Sequence, residues 1–100
     1  MTNKRRGEIV FAIEGEPHHL CLTLGALAEI ESGLALSSLM DLEARLKAPT
    51  VADLAVVLAA LLRGGGHDMT DETLLARQVD LAAAAKAIAA AFGAAGLGAR

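Results

Sequence analysis

The sequence predicts an α+β fold in which an N-terminal two-stranded β-hairpin packs on four to five short α-helices in a single compact domain. Apolar residues alternate along the first quarter of the chain, and an apolar period of three to four residues follows. The composition agrees, since 22 Ala and 17 Leu stand among 100 residues that include 2 Phe, no Tyr and no Trp. Ala and Leu lose little conformational freedom in helices, and this length is typical of one domain.

The predicted hairpin covers residues 8–23. Its strands carry apolar residues at every second position, Ile9, Phe11 and Ile13 in the first and Leu20, Leu22 and Leu24 in the second. Segment 14–17 supplies the turn, because Gly15 can adopt a positive φ and Pro17 is expected to end the strand ladder. Two strands alone are only marginally stable, so the apolar face of the hairpin is expected to lie on the helices.

Five helices are predicted, at about residues 24–32, 38–47, 51–63, 71–78 and 80–92. Residues that favour helix N-caps precede the first four, namely Thr23, Ser37 or Ser38, Thr50 and Thr70. Asp53 follows Thr50 at the spacing of a capping box, and Pro49 prevents the preceding helix from continuing.

The chain has no internal repeat and no linker that would divide it. The single domain is expected to cover residues 7–92, with a disordered basic tail at 1–6 and a flexible tail at 93–100. In the second helix, the four-residue spacing of Asp41 and Arg45 predicts a stabilising ion pair.

Composition and charge exclude several classes of partner. Single-stranded nucleic acids stack on aromatic rings, which this chain nearly lacks, and a net charge of −3 does not favour binding to phosphates. The longest apolar run, Leu54 to Leu62, is too short to span a membrane. Acidic residues interrupt the apolar stretch after the basic N-terminus, which does not fit a signal peptide. We therefore expect a soluble, cytoplasmic protein with neither nucleic-acid nor membrane partners.

No motif indicates catalysis, a cofactor or a metal. The Gly-Gly-Gly run at 64–66 lacks the following Lys of a phosphate-binding loop and is expected to form a hinge between helices. The candidate zinc ligands are His18, His19, Cys21 and His67. His18 and His19 are neighbours on a strand, so their side chains should point to opposite faces and cannot share one ion. We therefore expect a protein that is not an enzyme.

The third predicted helix is apolar on two faces. Its Leu residues form the stripe that is expected to face the core. The opposite face is the candidate interface for a partner or for self-association, and it holds Ala52, Ala55, Val56, Ala59, Ala60 and Arg63. A helix that is apolar all round is either buried on both sides or partly covered by another chain, and the sequence leaves both alternatives open.

Two stretches of the chain carry a family resemblance. The first runs from Gly7-Glu8 through Gly15-Glu16-Pro17 to Leu20-Cys21-Leu22-Thr23-Leu24-Gly25-Ala26-Leu27-Ala28-Glu29-Ile30-Glu31, and the second is Leu62-Arg63-Gly64-Gly65-Gly66-His67. Over roughly residues 7–92, the chain resembles the small tail assembly chaperone-like, or tail tube-associated, proteins of gene transfer agents and long-tailed phages.

This resemblance implies a non-enzymatic protein of tail morphogenesis, encoded by a gene transfer agent or a prophage. Such a tail assembly chaperone binds the tape measure protein and helps tail tube subunits to assemble around it. One alternative is a structural tail component that is associated with the tube and retained in phage-like particles. A more distant alternative is a small DNA-binding regulator, for which the basic tripeptide Lys4-Arg5-Arg6 and the short helices are the motivation. The family implies no catalytic residues.

Overall fold

The computed structural model describes residues 8–96, which form two strands and five helices. The elements are β1 (Glu8–Ile13), β2 (Glu16–Cys21), α1 (Leu24–Gly33), α2 (Leu39–Lys47), α3 (Val51–Gly64), α4 (Asp71–Leu75) and α5 (Leu81–Ala94). The predicted α+β class, a hairpin on helices, is confirmed. The predicted tail at residues 1–6 and the end of the predicted tail at 97–100 lie outside the described residues. No helix within residues 8–96 has the length and apolar character of a membrane span.

The hairpin turn is tighter than the sequence predicts. Glu14 and Gly15 alone form it, with φ of 52° and 85°, so that both central residues are left-handed as in a type I′ turn. β1 and β2 pair antiparallel from Ile13 opposite Glu16 to Glu8 opposite Cys21. Pro17 therefore lies inside β2, and the prediction that it ends the ladder is wrong. In this register its nitrogen faces away from β1, so the strand pair requires no hydrogen bond from it.

In the described part of the chain, an N-cap residue precedes each helix, and its side chain accepts a hydrogen bond from a backbone N–H of the first turn. These N-caps are Thr23, Ser38, Thr50, Thr70 and Asp80. The capping box is confirmed, because the Thr50 hydroxyl accepts from the Asp53 N–H at 3.0 Å and the Asp53 carboxylate accepts from the Thr50 N–H at 3.1 Å. Local capping chemistry thus fixes where the helices start.

Two helices end two or more residues away from their predicted ends. α4 stops at Leu75 rather than at residue 78, because the Gln78 N–H donates to the Glu14 carboxylate at 3.0 Å instead of continuing the helix. α5 continues to Ala94, so the predicted flexible tail is wrong for residues 93–94. Gly96, with φ of 87°, supplies the left-handed residue that follows the helix end.

Helix α3 forms the centre of the core. Every residue from Val57 to Leu62 is buried, and the helix contacts β2, α1, α4 and α5. α1 approaches it closely because Gly33 has no side chain, and an added Cβ there would lie 2.7 Å from Cγ1 of Val56. The hairpin contributes Phe11, Ile13 and Leu20 to the same core.

The C-terminal end of α3 lies directly against the backbone of β2. A Cβ on Gly64 would overlap the carbonyl oxygen of Cys21, and a Cβ on Gly65 would overlap that of His19. Only residues without a Cβ permit this approach. The run at 64–66 ends α3 and begins the connection to α4, as predicted, and its first two glycines are in addition required by packing between α3 and β2.

Arg45 attaches α2 to its neighbours. Its guanidinium donates to both carboxylate oxygens of Asp53, at 2.9 and 3.3 Å, and to the carbonyl oxygen of Leu34 at 3.1 Å. The predicted pair of Asp41 with Arg45 is wrong, because Arg45 turns to the buried Asp53 while the Asp41 carboxylate accepts from the Ser37 N–H. The hydrogen bond from Arg45, followed by that from Thr50, holds the pKa of the Asp53 carboxyl below its ordinary value of 3.8.

Replacing Gly64 by Ala is expected to lower the free energy of unfolding by about 2–3 kcal/mol, because the new Cβ forces α3 and β2 apart. Gly93→Ala is the matched control, since Gly93 also lies in a helix but has nothing within 4 Å of an added Cβ. That variant should gain about 0.5–1 kcal/mol from helix propensity. Urea unfolding followed by circular dichroism measures both, and equal midpoints for the two variants would contradict the close approach.

Asp53→Asn is expected to lower the free energy of unfolding by about 1–2 kcal/mol at pH 7, because hydrogen bonds to a charged acceptor are lost. The folded protein lowers the pKa of Asp53, so this stabilisation is complete above the ordinary value and disappears as the pH falls through the folded value. The difference between wild type and variant should therefore shrink below about pH 4. Asp68→Asn, at an exposed position before α4, is the control. A difference between wild type and Asp53→Asn that stays constant down to pH 2 would refute the linkage.

Candidate functional site

An apolar groove of about 680 Å³ lies between α2 and α5. Most of its lining is aliphatic or aromatic, from Leu39, Met40, Leu42, Leu46, Pro49, Leu54, Ala85, Ile88, Ala89 and Phe92. Glu43 and Lys47, both on α2, are its charged members. With one acid and one base, the groove has no net charge to select a charged ligand, and it is suited to receive apolar side chains.

A smaller hollow of about 110 Å³ adjoins the groove, and Leu54 lines both. It lies between α3, α4 and the start of α5. Its lining is Val51, Leu54, Ala55, Leu58, Leu74, Leu75, Arg77, Val79, Leu81 and Ala84. We call the groove and this hollow together the apolar surface.

The exposed large apolar side chains of residues 8–96 are concentrated on the apolar surface. Seven such side chains are exposed, and five of them line it: Leu39, Met40, Val51, Leu75 and Leu81. Met40 is 80% exposed. Single exposed apolar residues are ordinary, whereas a contiguous group is typical of an interaction site.

The two walls of the groove are fixed differently. On α5, Ile88 and Phe92 are buried by the rest of the chain and also reach the groove. On α2, Leu42 is the one buried residue, and the hydrogen bonds of Arg45 to Asp53 and Leu34 hold the helix in place. The groove therefore depends on a charged contact as well as on apolar packing.

The six candidate interface residues of α3 do not form one exposed face. Ala55, Ala59 and Ala60 are buried within the chain, Val56 and Arg63 are partly buried, and Ala52 is exposed. Of the two alternatives for a helix that is apolar all round, burial on both sides within this chain therefore holds for most of α3. Arg63 is engaged by Glu29 at 2.7 Å and by the carbonyl oxygen of Met69 at 2.6 Å. That these positions contact a partner stays a prediction.

The predicted division of α3 into a core face and an outer face holds for Leu58, Leu61 and Leu62, which are buried, but it is less sharp at the N-terminal half of the helix. Leu54 packs against the core but is only partly buried and also lines the groove and the hollow, while Ala55, expected on the outer face, is buried. Met40 was missed, although an apolar residue beside Leu39 widens the apolar stripe of α2 and could have indicated an exposed apolar position.

The structure brings His18, His19 and His67 together, but their proximity does not by itself form a metal site. The imidazole of His67 lies 4.8 Å from that of His18 and 6.1 Å from that of His19, measured between ring centroids. Its Nε2 accepts the backbone N–H of His19 at 2.9 Å. Within residues 8–96, no group of three or more His, Cys, Asp or Glu side chains is arranged to hold a metal ion.

Comparison with known proteins identifies a family. Residues 6–98 match the model of the family described as "Phage tail tube protein, GTA-gp10". No curated protein and no solved structure matches the chain significantly. The family match covers nearly the whole chain and agrees with the resemblance found in the hairpin, α1 and the end of α3. The chain therefore belongs to the GTA-gp10 family of phage tail tube proteins, and its role is related to phage tails.

Proposed function

We propose that this protein is a non-enzymatic tail assembly chaperone that binds a helix of the tape measure protein on its apolar surface. The observation that carries the proposal is the concentration of exposed large apolar side chains along the groove between α2 and α5. An amphipathic helix binds in such a groove through apolar side chains spaced three and four residues apart. The family supplies the context, which is association with other components of a phage tail.

The chemistry of the groove supports binding rather than catalysis. Its two charged side chains, Glu43 and Lys47, both belong to α2, and the remaining lining is apolar apart from backbone groups. Met40 adds a flexible and polarisable side chain, which adapts to differently shaped apolar partners. A long client with several such helices would be bound by several copies of the chaperone, each through a modest contact.

Replacing Met40 by Asp is expected to lower recovery of the tape measure protein at least tenfold in co-purification with the tagged full chain. Burial of a Met side chain contributes about 1.5–3 kcal/mol, and about 1.4 kcal/mol corresponds to a tenfold change in affinity. Leu24→Asp is the matched control, because Leu24 is 86% exposed, lies outside the apolar surface and also occupies the first turn of a helix. Asp is favourable near a helix N-terminus, so both variants should fold.

Circular dichroism and unfolding curves check that both variants retain the fold. Equal recovery of the tape measure protein with wild type, Met40→Asp and Leu24→Asp would refute the groove as its binding site. Equal losses with the two variants would refute it as well, since the effect would then follow the added charge and not the position.

A structural component of the tail tube is the second candidate function, and the family description favours it. In that role the apolar surface would contact a tube subunit or a second copy in the finished particle. Quantitative mass spectrometry of purified particles separates the two functions. We expect this chain to be absent or far below the copy number of the major tube subunit; a fixed stoichiometric amount would replace the chaperone proposal by the structural one.

A further inference from the structure

The loop of residues 65–70, between α3 and α4, is attached to β2 by one backbone-to-imidazole hydrogen bond. The N–H of His19 donates to Nε2 of His67 at 2.9 Å. A backbone N–H can only donate, so Nε2 must carry a lone pair and the ring proton of neutral His67 must be on Nδ1. The contact therefore exists only while His67 is neutral.

This hydrogen bond occupies the outer edge of β2. In the register that pairs Val10 with His19, the backbone groups of His19 point away from β1. The carbonyl oxygen of His19 is covered by Gly65, which lies in contact with it, and the N–H is covered by His67. Unpaired groups on a strand edge are a template for pairing with another strand, so His67 closes a position that would otherwise be open.

The surroundings of His67 oppose a positive charge. Burial is the first cause that lowers its pKa from the ordinary value of 6.5, and the charges of His18 and then His19, both on β2, are the further causes. At the end of α3, Arg63 is engaged by Glu29 of α1 and Asp71 of α4.

We propose that His67 is a proton-sensitive latch on the outer edge of β2. Neutral His67 holds the 65–70 loop against His19. When Nε2 takes up a proton, the imidazolium has two N–H donors and no acceptor, so the bond from the His19 N–H is lost and the strand edge opens. The rings of His18 and His19 lie beside this imidazolium, with centroids 4.8 and 6.1 Å from that of His67.

The direction of the pH dependence follows from the lowered pKa. Since the closed state disfavours the protonated ring, the latch is fully closed above the ordinary pKa of about 6.5 and opens as the pH falls through the lower, closed-state value. Between these two values, each pH unit shifts the ratio of open to closed latch by up to about tenfold.

Hydrogen exchange of the His19 amide, measured by NMR on the full chain between pH 8 and pH 5, tests the latch. The protection factor should fall by up to about tenfold per pH unit below pH 6.5. The amide of Ala26 is the internal control, because it donates to the Thr23 hydroxyl at 3.0 Å, an acceptor that does not titrate. Nitrogen chemical shifts of His67 should report the Nδ1–H tautomer at pH 8 and the imidazolium at low pH.

Two variants separate the latch from a merely structural contact. In His67→Gln, the amide oxygen can accept from His19 without titrating, so protection of the His19 amide should persist at pH 5. In His67→Ala, protection should be low throughout the pH range. A protection factor in wild type that is independent of pH, or an equal pH dependence in His67→Gln, would overturn the proposal; the wild-type titration decides it even when His67→Ala does not fold.

Discussion

Helix α3 is apolar around its circumference, and the rest of the fold is arranged to cover it. The unbroken buried run from Val57 to Leu62 requires neighbours on every side, which β2, α1, α4 and α5 provide. Such close packing around one helix depends on small residues where other backbones approach. Gly33 allows α1 to lie close to α3, and Gly64 allows β2 to do so. The many Ala residues of α3 and α5 therefore allow neighbouring elements to approach closely, and they also favour helix formation.

The N-terminal half of α3 is where this cover is incomplete. Leu54 is partly exposed there, between the groove and the smaller hollow, and the exposed apolar residues of α2, α4 and α5 surround it. The charged contact of Arg45 with Asp53 keeps α2 beside this region although α2 contributes little to the core. The chain belongs to a family of phage tail tube proteins, which indicates association with other tail components.

Local features could be predicted from the sequence, and long-range ones could not. Thr50 with Asp53 specifies a capping box within four residues, so the start of α3 follows from chemistry that is local in the chain. The partner of Arg45 could not be predicted from the sequence, because the buried carboxylate of Asp53 competes with that of Asp41 only after α2 and α3 have packed.

The covered face of α3 could not be predicted either. Ala and Leu are both apolar, so periodicity alone does not decide which face the chain itself covers. His67 meets both His18 and His19 because it lies at the edge of the strand and not over one face, which alternation along a strand cannot reveal.

The attachment of α2 has a mechanical consequence for the groove. α5 is anchored by four buried residues, whereas α2 buries Leu42 alone. Displacing α2 would therefore remove little apolar surface from the core, and the hydrogen bonds of Arg45 are what chiefly resist it. For the proposed helical client, a wall attached in this way would adjust to larger or smaller side chains, so the amphipathic pattern of the helix would matter more than its particular residues. Affinity for the proposed client would then depend on how many helical turns it presents.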